Sequence, residues 1–315
     1  MIDISSFITE VIQVLLLLLA APLFTGWVKT VKCRMQGRTY AGIFQPYREL
    51  RKLFAKEVVL AENASWIFCF TPYLVFGVTV LIGGIIPLIS VDLPLADTAD
   101  VIALAMLFAM VRFFTALAGM DTGTAFGGMG SSREMTIASL AEPALLMAVF
   151  TASLAANSTS LAHMVQVMAH GPFMLRPSLA FALLAFIMVF LAETGRVPVD
   201  NPATHLELTM IHEAMILEYS GRHLALIEWA GMMKLFIFMS LGIAIFCPWG
   251  IAAADDPGGM LIGGLSLAGK LAGAGALLVL IETGLAKMRL FRLTEYLGSA
   301  FLLATLGMLS FFILE

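Results

Sequence analysis

Eight apolar runs, at about residues 11–28, 66–90, 100–118, 135–156, 178–195, 229–249, 260–283 and 296–314, set the first limit on the fold. Each approaches the ~20 residues that a helix needs to cross a bilayer. The expectation is an all-α, polytopic membrane helical bundle with about eight transmembrane helices. Composition agrees: 60% of residues are hydrophobic and 13% are charged, against roughly 25% charged in soluble domains. Asp3 and Glu10 precede the first apolar run and basic residues follow it. That order inverts the charge pattern of a signal peptide, so the run is expected to remain as the first span.

The basic residues fix the orientation. Lys29, Lys32, Arg34, Arg38, Arg48, Arg51, Lys52 and Lys56 follow the first span. Arg133 follows the third, Arg196 and Arg222 the fifth, and Lys287, Arg289 and Arg292 the seventh, whereas the opposite side holds only Arg176. By the positive-inside rule the inner loops are about 29–65, 119–134, 196–228 and 284–295, and both termini lie outside. No internal repeat or low-complexity linker divides the chain, which is expected to form a single integral-membrane domain over 1–315. The net charge of −4 at pH 7 offers no basic nucleic-acid surface. Cys33, Cys69 and Cys247 show no CxxC or Cys/His spacing, which argues against an iron–sulfur or structural zinc site in this chain. The topology also sets Cys69 and Cys247 near opposite faces, too far apart for a disulfide.

The first inner segment, KTVKCRMQGRTYAGIFQPYRELRKLFAKE, becomes helical from Pro46, with Arg48, Arg51 and Lys52 on one side and Leu50, Leu53 and Phe54 on another. Two occupants suit such a face: anionic lipid headgroups of the bilayer, or a soluble protein partner. The next, GMDTGTAFGGMGSSREMTIASLAEPALL, is glycine-rich between Gly119 and Gly130 and lacks the phosphate-loop pattern, so it reads as loop backbone beside the membrane. Arg133 and Glu134 then open a span that also carries Glu142 roughly two turns deep. A carboxylate at that depth costs about 2.5–3.5 kcal/mol and needs a partner or water.

The densest stretch is ETGRVPVDNPATHLELTMIHEAMILEYSGRHLALIEWA, residues 193–230. Arg196 lies three residues after Glu193 and suits pairing on one helix face, while Pro198 and Pro202 oppose regular helix through residue 202. From His205 to Tyr219 the apolar spacing is again helical, and at 100° per residue Glu207 and Glu218 share one face while Glu213 points elsewhere. His212 and Glu213 begin a zinc-protease motif, but residue 216 is Ile where the second histidine is required. Two readings remain. The acids form a proton path or polar chamber, or they form salt bridges with Arg133, Arg196, Arg222 and the first-loop cations.

ETGRVPVD, the acid-rich helix after it and EYSGRHLALIEWA together resemble the hallmark loop of one membrane-protein family, the respiratory complex I subunit 1 family. Its members occur in NADH-quinone oxidoreductase and in the energy-converting nickel-iron hydrogenases. GIFQPYRELRKLFAKE resembles the family's first inner loop and SSREMTIASLAEPALL its arginine- and glutamate-bearing third loop, in the same order along nearly the whole chain. Gly195 and Val199 depart from the quinone-reductase wording of the hallmark, where Asn and Phe stand, and the likeness is closer to the hydrogenase-4 and formate hydrogenlyase branch. The resemblance implies a component of a bacterial or archaeal cytoplasmic (inner) membrane complex. It implies no cofactor or metal here, with a nickel-iron centre and iron–sulfur clusters in hydrogenase large and small subunits and electron-transfer subunits, and with antiporter-like membrane subunits alongside.

By position, Glu193, Arg196 and Asp200 match the family's polar entry motif. Glu207, Glu213 and Glu218 match its acidic loop, and Arg133, Glu134 and Glu142 its third-loop charges. The implied route for protons is Glu142, Glu193, Glu213 and Glu228. Arg112, Lys234, Lys270 and Glu282 are further candidates within the spans. Lys234 is too far along its helix from Glu228 for direct pairing, and Lys270 and Glu282 are 120° out of register, so each is expected to meet a different neighbour. Two alternatives stand beside this reading: the quinone-site subunit of an NADH-quinone oxidoreductase, and a standalone ion or solute transporter.

Overall fold

A computed structural model describes residues 4–39, 42–87, 100–170, 176–200, 210–250 and 257–314. Among these, eleven helices follow one another: α1 (Ile4–Met35), α2 (Gln45–Phe54), α3 (Trp66–Ile85), α4 (Val101–Asp121), α5 (Ala125–Ala156) and α6 (Leu161–His170), then α7 (Pro177–Glu193), α8 (His212–Ile216), α9 (Gly221–Phe246), α10 (Pro257–Gly284) and α11 (Leu290–Leu314). Seven of the eight expected spans, on α1, α3, α4, α5, α9, α10 and α11, are long and apolar enough to cross a membrane. The remaining one, α7, is a shorter apolar helix of 17 residues. Side-chain caps start several of them: Ser65 accepts from Ile67 N, Asp100 from Ile102 N and Thr124 from Gly127 N, each satisfying one otherwise orphaned amide.

Helix α9 forms the centre, packing against α1, α3 and α10, while α5 packs against α4, α7 and α11. Met233, Phe236, Ile237, Phe238, Leu241 and Ile245 of α9 are fully or almost fully buried. In a bilayer such burial gains close packing between helices, because lipid tails are as apolar as the side chains. Outward-facing Leu19, Leu302, Phe312 and Ile313 supply the lipid-facing surface.

The loops expected inside meet at one end of the bundle. Ser65 N donates to Asp121 Oδ2, Val59 bonds reciprocally with Ser220, Arg133 reaches Met210 O, and Met288 N donates to Pro198 O. An even number of spans brings these segments together.

Three boundaries differ from the sequence expectation. Helix α5 starts at Ala125, so most of the segment expected as loop 119–134 is helical. Its glycines serve close approach: a Cβ on Gly127 would collide with Gly119 O, and one on Gly130 with Ala214 and Ile211 O. Helix α9 starts at Gly221, so Arg222 and Glu228, expected in loop 196–228, lie on a helix that begins before its apolar stretch. Of the helix expected over 205–219, only His212–Ile216 is seen as α8, and residues 201–209 lie outside the described residues. The helix stops because Tyr219 is drawn to α3. Its ring stacks on Phe68 with centroids 3.9 Å apart, and its hydroxyl donates to Phe68 O at 2.9 Å.

Candidate functional site

Helix α7 ends at Glu193, and the next residues turn back into the bundle. Gly195 makes that turn in the left-handed region, at φ +58°, which glycine enters without the Cβ penalty. Glu193 is therefore presented inside the protein, level with Arg112 on α4 and Lys234 on α9. Irregular backbone at such a position is tolerated where protein surrounds it, and Val197, Val199 and Asp200 are all buried.

Arg112 is the hub. Its Nη2 donates to Glu193, its Nη1 lies 2.9 Å from Glu142 Oε1, and its Nε lies 3.5 Å from Glu134 Oε1. The second oxygen of Glu193 is 3.1 Å from Lys234 Nζ. The side chains of Arg112 and Glu193 are 4% and 1% exposed, so neither is screened by water. Three carboxylates thus share two cations. With every acid ionised, the cluster among the described residues carries one negative charge more than its two cations balance.

A cavity of about 400 Å³ adjoins this cluster. Glu193 and Lys234 form its inner wall, and Glu213, Glu228 and Lys29 line it toward the loop end, with Ile227, Met232 and Leu235 between them. A smaller void of about 40 Å³, bounded by Arg112, Glu134 and Lys234, continues from it. The cavity therefore joins the loop end of the protein to the buried acids.

Around the cavity, a second group of charges fastens the 194–200 segment. Glu282 on α10 accepts from Lys32 at 2.6 Å and from Arg196 at 2.5 Å. Asp200 lies 3.2 Å from Lys287 Nζ and accepts from the amides of Ile211 and His212 at 3.1 and 3.3 Å. These bonds tie α1, α10, the α10–α11 turn and the start of α8 to one short strap.

The residues named from the sequence separate accordingly. Glu134, Glu142, Glu193, Arg112 and Lys234 come together, and Glu213 and Glu228 face the same cavity as Glu193. The expected Glu193–Arg196 pair does not form. The helix ends at Glu193 and Gly195 redirects the chain, so Arg196 meets Glu282 and Glu193 meets Arg112 and Lys234. Arg133 binds the Met210 carbonyl at 3.1 Å in place of a carboxylate. Glu218 and Arg222 are exposed, and Glu207 lies outside the described residues. Lys270 donates to the Cys247 and Trp249 carbonyls at the far end of α9, so it and Glu282 do meet different neighbours. Lys32 and Lys287, the partners of Glu282 and Asp200, were visible in the sequence only as part of the inner-side charge count. Among the described residues no cluster of three or more His, Cys, Asp or Glu side chains is arranged to hold a metal ion.

A many-span helical bundle whose loops at one end surround a polar cavity, with charges carried on into the helices, defines an integral-membrane protein. Residues 9–313 match the family NADH dehydrogenase, and the chain belongs to that family, the complex I subunit 1-like membrane proteins. Over 285 residues it is 32% identical to formate hydrogenlyase subunit 4 of Escherichia coli (strain K12), covering 90% of this chain and 92% of that one. Over 243 residues it is 35% identical to hydrogenase-4 component C of the same organism, covering 76% and 75%. It also shares its fold with a chain in the structure of the membrane-bound sulfane sulfur reductase, an archaeal respiratory membrane complex. That likeness has a TM-score of 0.83 at 19% identity and covers 96% of this chain and 99% of the other.

Proposed function

We propose that this chain is the membrane-anchoring, ion-coupling subunit of an energy-converting nickel-iron hydrogenase of the hydrogenase-4/formate hydrogenlyase type, in a bacterial or archaeal cytoplasmic membrane. Its similarity to subunits of those two enzymes over most of their length supports the assignment. The observation that carries the mechanism is the unequal charge count around Arg112 beside an open cavity. Hydrogenase large and small subunits and iron–sulfur subunits would dock over the loop end, and their nickel-iron centre and clusters would perform the redox chemistry. A change of charge there alters the electrostatics of Glu213 and Glu228 at the cavity. One proton then redistributes through the cavity to the Glu193–Arg112–Glu142 cluster and onward to antiporter-like neighbours.

A second reading rests on the cavity's size and mixed lining. Its volume of about 400 Å³ falls in the range of small-ligand pockets, which suits the quinone-site subunit of an NADH-quinone oxidoreductase. Intact membranes decide between them. Hydrogen evolution that depends on this chain supports the first; NADH-driven quinone reduction without hydrogenase activity replaces it with the second. Glu213→Gln should impair ion movement while the complex still assembles; failed assembly would assign Glu213 a structural salt-bridge role.

A further inference from the structure

A second large cavity, of about 360 Å³, lies between the loop-end turns of α5 and α11, with Ile137 standing between it and the acidic cavity. Arg133 and Glu134 are neighbours in sequence but face different ways: Glu134 turns inward to Arg112, and Arg133 lines this outer cavity. Among the described residues Arg133 makes one hydrogen bond, from Nη1 to Met210 O, and no ion pair. A guanidinium has five N–H donors in a planar fork suited to a phosphate, so most of its donors are uncommitted there. Ser132 and Thr136 stand beside it on the same helix. Their hydroxyls are engaged only by the helix's own carbonyls, Met129 O at 3.1 Å and Ser132 O at 2.8 Å.

The opposite wall is formed by Leu293 and Leu297, with Thr294 between them, and is mainly apolar. The apolar span of α11 begins at Arg292, so the cavity sits where headgroups give way to acyl chains. Below it, Gly298 leaves open space where a side chain would stand, and Leu302 is 62% exposed one turn further on. A cation at headgroup depth above an open apolar track matches an amphiphile with an anionic head. Arg289 and Arg292 add positive charge at this end of α11 and outweigh Glu295.

We infer that this cavity holds an anionic glycerophospholipid, with its phosphate on Arg133 and one acyl chain along the Gly298–Leu302 face of α11. The tagged complex, reconstituted in nanodiscs of equal parts phosphatidylglycerol and phosphatidylcholine and then moved to detergent, tests this by native mass spectrometry. Phosphatidylglycerol should be retained preferentially, and Arg133→Gln should reduce its retention about fivefold, the effect of one basic residue near anionic lipid. Ser132→Trp fills the seat from its exposed rim and should reduce retention as much. It decides the matter alone if the arginine variant does not assemble. Arg38→Gln, on the exposed first loop, should leave retention unchanged. Equal retention in all forms overturns the inference. So does displacement by millimolar inorganic phosphate, which makes the ligand a free anion, or cross-linking of Thr294→Cys to a neighbouring subunit, which makes the groove a protein interface.

Discussion

The cluster around Arg112 and the strap around Glu282 and Asp200 use the same residue types in opposite proportions. Around Arg112, Glu134, Glu142 and Glu193 outnumber two cations; at the strap, Lys32, Arg196 and Lys287 outnumber two acids. The strap's acids are each matched by at least one cation, so they hold geometry. The Arg112 cluster has one carboxylate more than it has cations, and that excess is what the proposed coupling uses. Exposure sharpens the contrast at the hub alone: Arg112 is 4% exposed, whereas Lys234, at 18%, falls with the strap's cations at 18–32%.

The comparison can be broken at several strengths. Arg112→Ala leaves three carboxylates with Lys234 as their one cation in the cluster and should destabilise the protein by about 3–5 kcal/mol, the cost of opening a buried ion pair. Thermal inactivation in detergent, or loss of the assembled complex, reads it. Glu282→Gln releases two cations that can reach water, so about 1–3 kcal/mol is expected, with faster proteolysis within 194–200. An intact strap in that variant would show that Glu282 does not hold it. Gly195→Ala must place a Cβ at φ +58° and should cost about 1–2 kcal/mol. Glu218→Gln, on an exposed side chain, should change stability by less than about 0.5 kcal/mol and leave ion movement intact; an effect on either would give the outer acids a role that the structure does not.

The membrane character, about eight spans and the gathering of the loops after alternate spans at one end of the bundle were legible because a bilayer demands long apolar runs that cross it in alternating directions. Helix ends were less so. Gly127 and Gly130 look like a flexible loop in sequence, yet they are the surfaces through which α5 meets Gly119, Ala214 and Ile211, and only the partner reveals that use. Glu134, Glu142, Glu193, Arg112 and Lys234 could each be flagged as costly charges. Their mutual pairing could not, because it joins four helices whose rotations the one-dimensional pattern leaves free. Arg196 is the clearest case: proximity in sequence favoured Glu193, and the turn at Gly195 gave it to Glu282, eighty-six residues away.

Glu193→Gln offers the most direct test of the central claim, since it leaves two cations facing two carboxylates and removes the excess negative charge on which the proposed coupling rests. Ion uptake should be measured per hydrogen evolved, in sealed vesicles carrying wild-type, Glu193→Gln or Glu282→Gln complex. The account predicts that Glu193→Gln assembles, evolves hydrogen and loses most of its ion uptake, whereas Glu282→Gln keeps the wild-type ratio in the complexes that survive. A wild-type ratio in Glu193→Gln, or an equal loss in both variants, would contradict it.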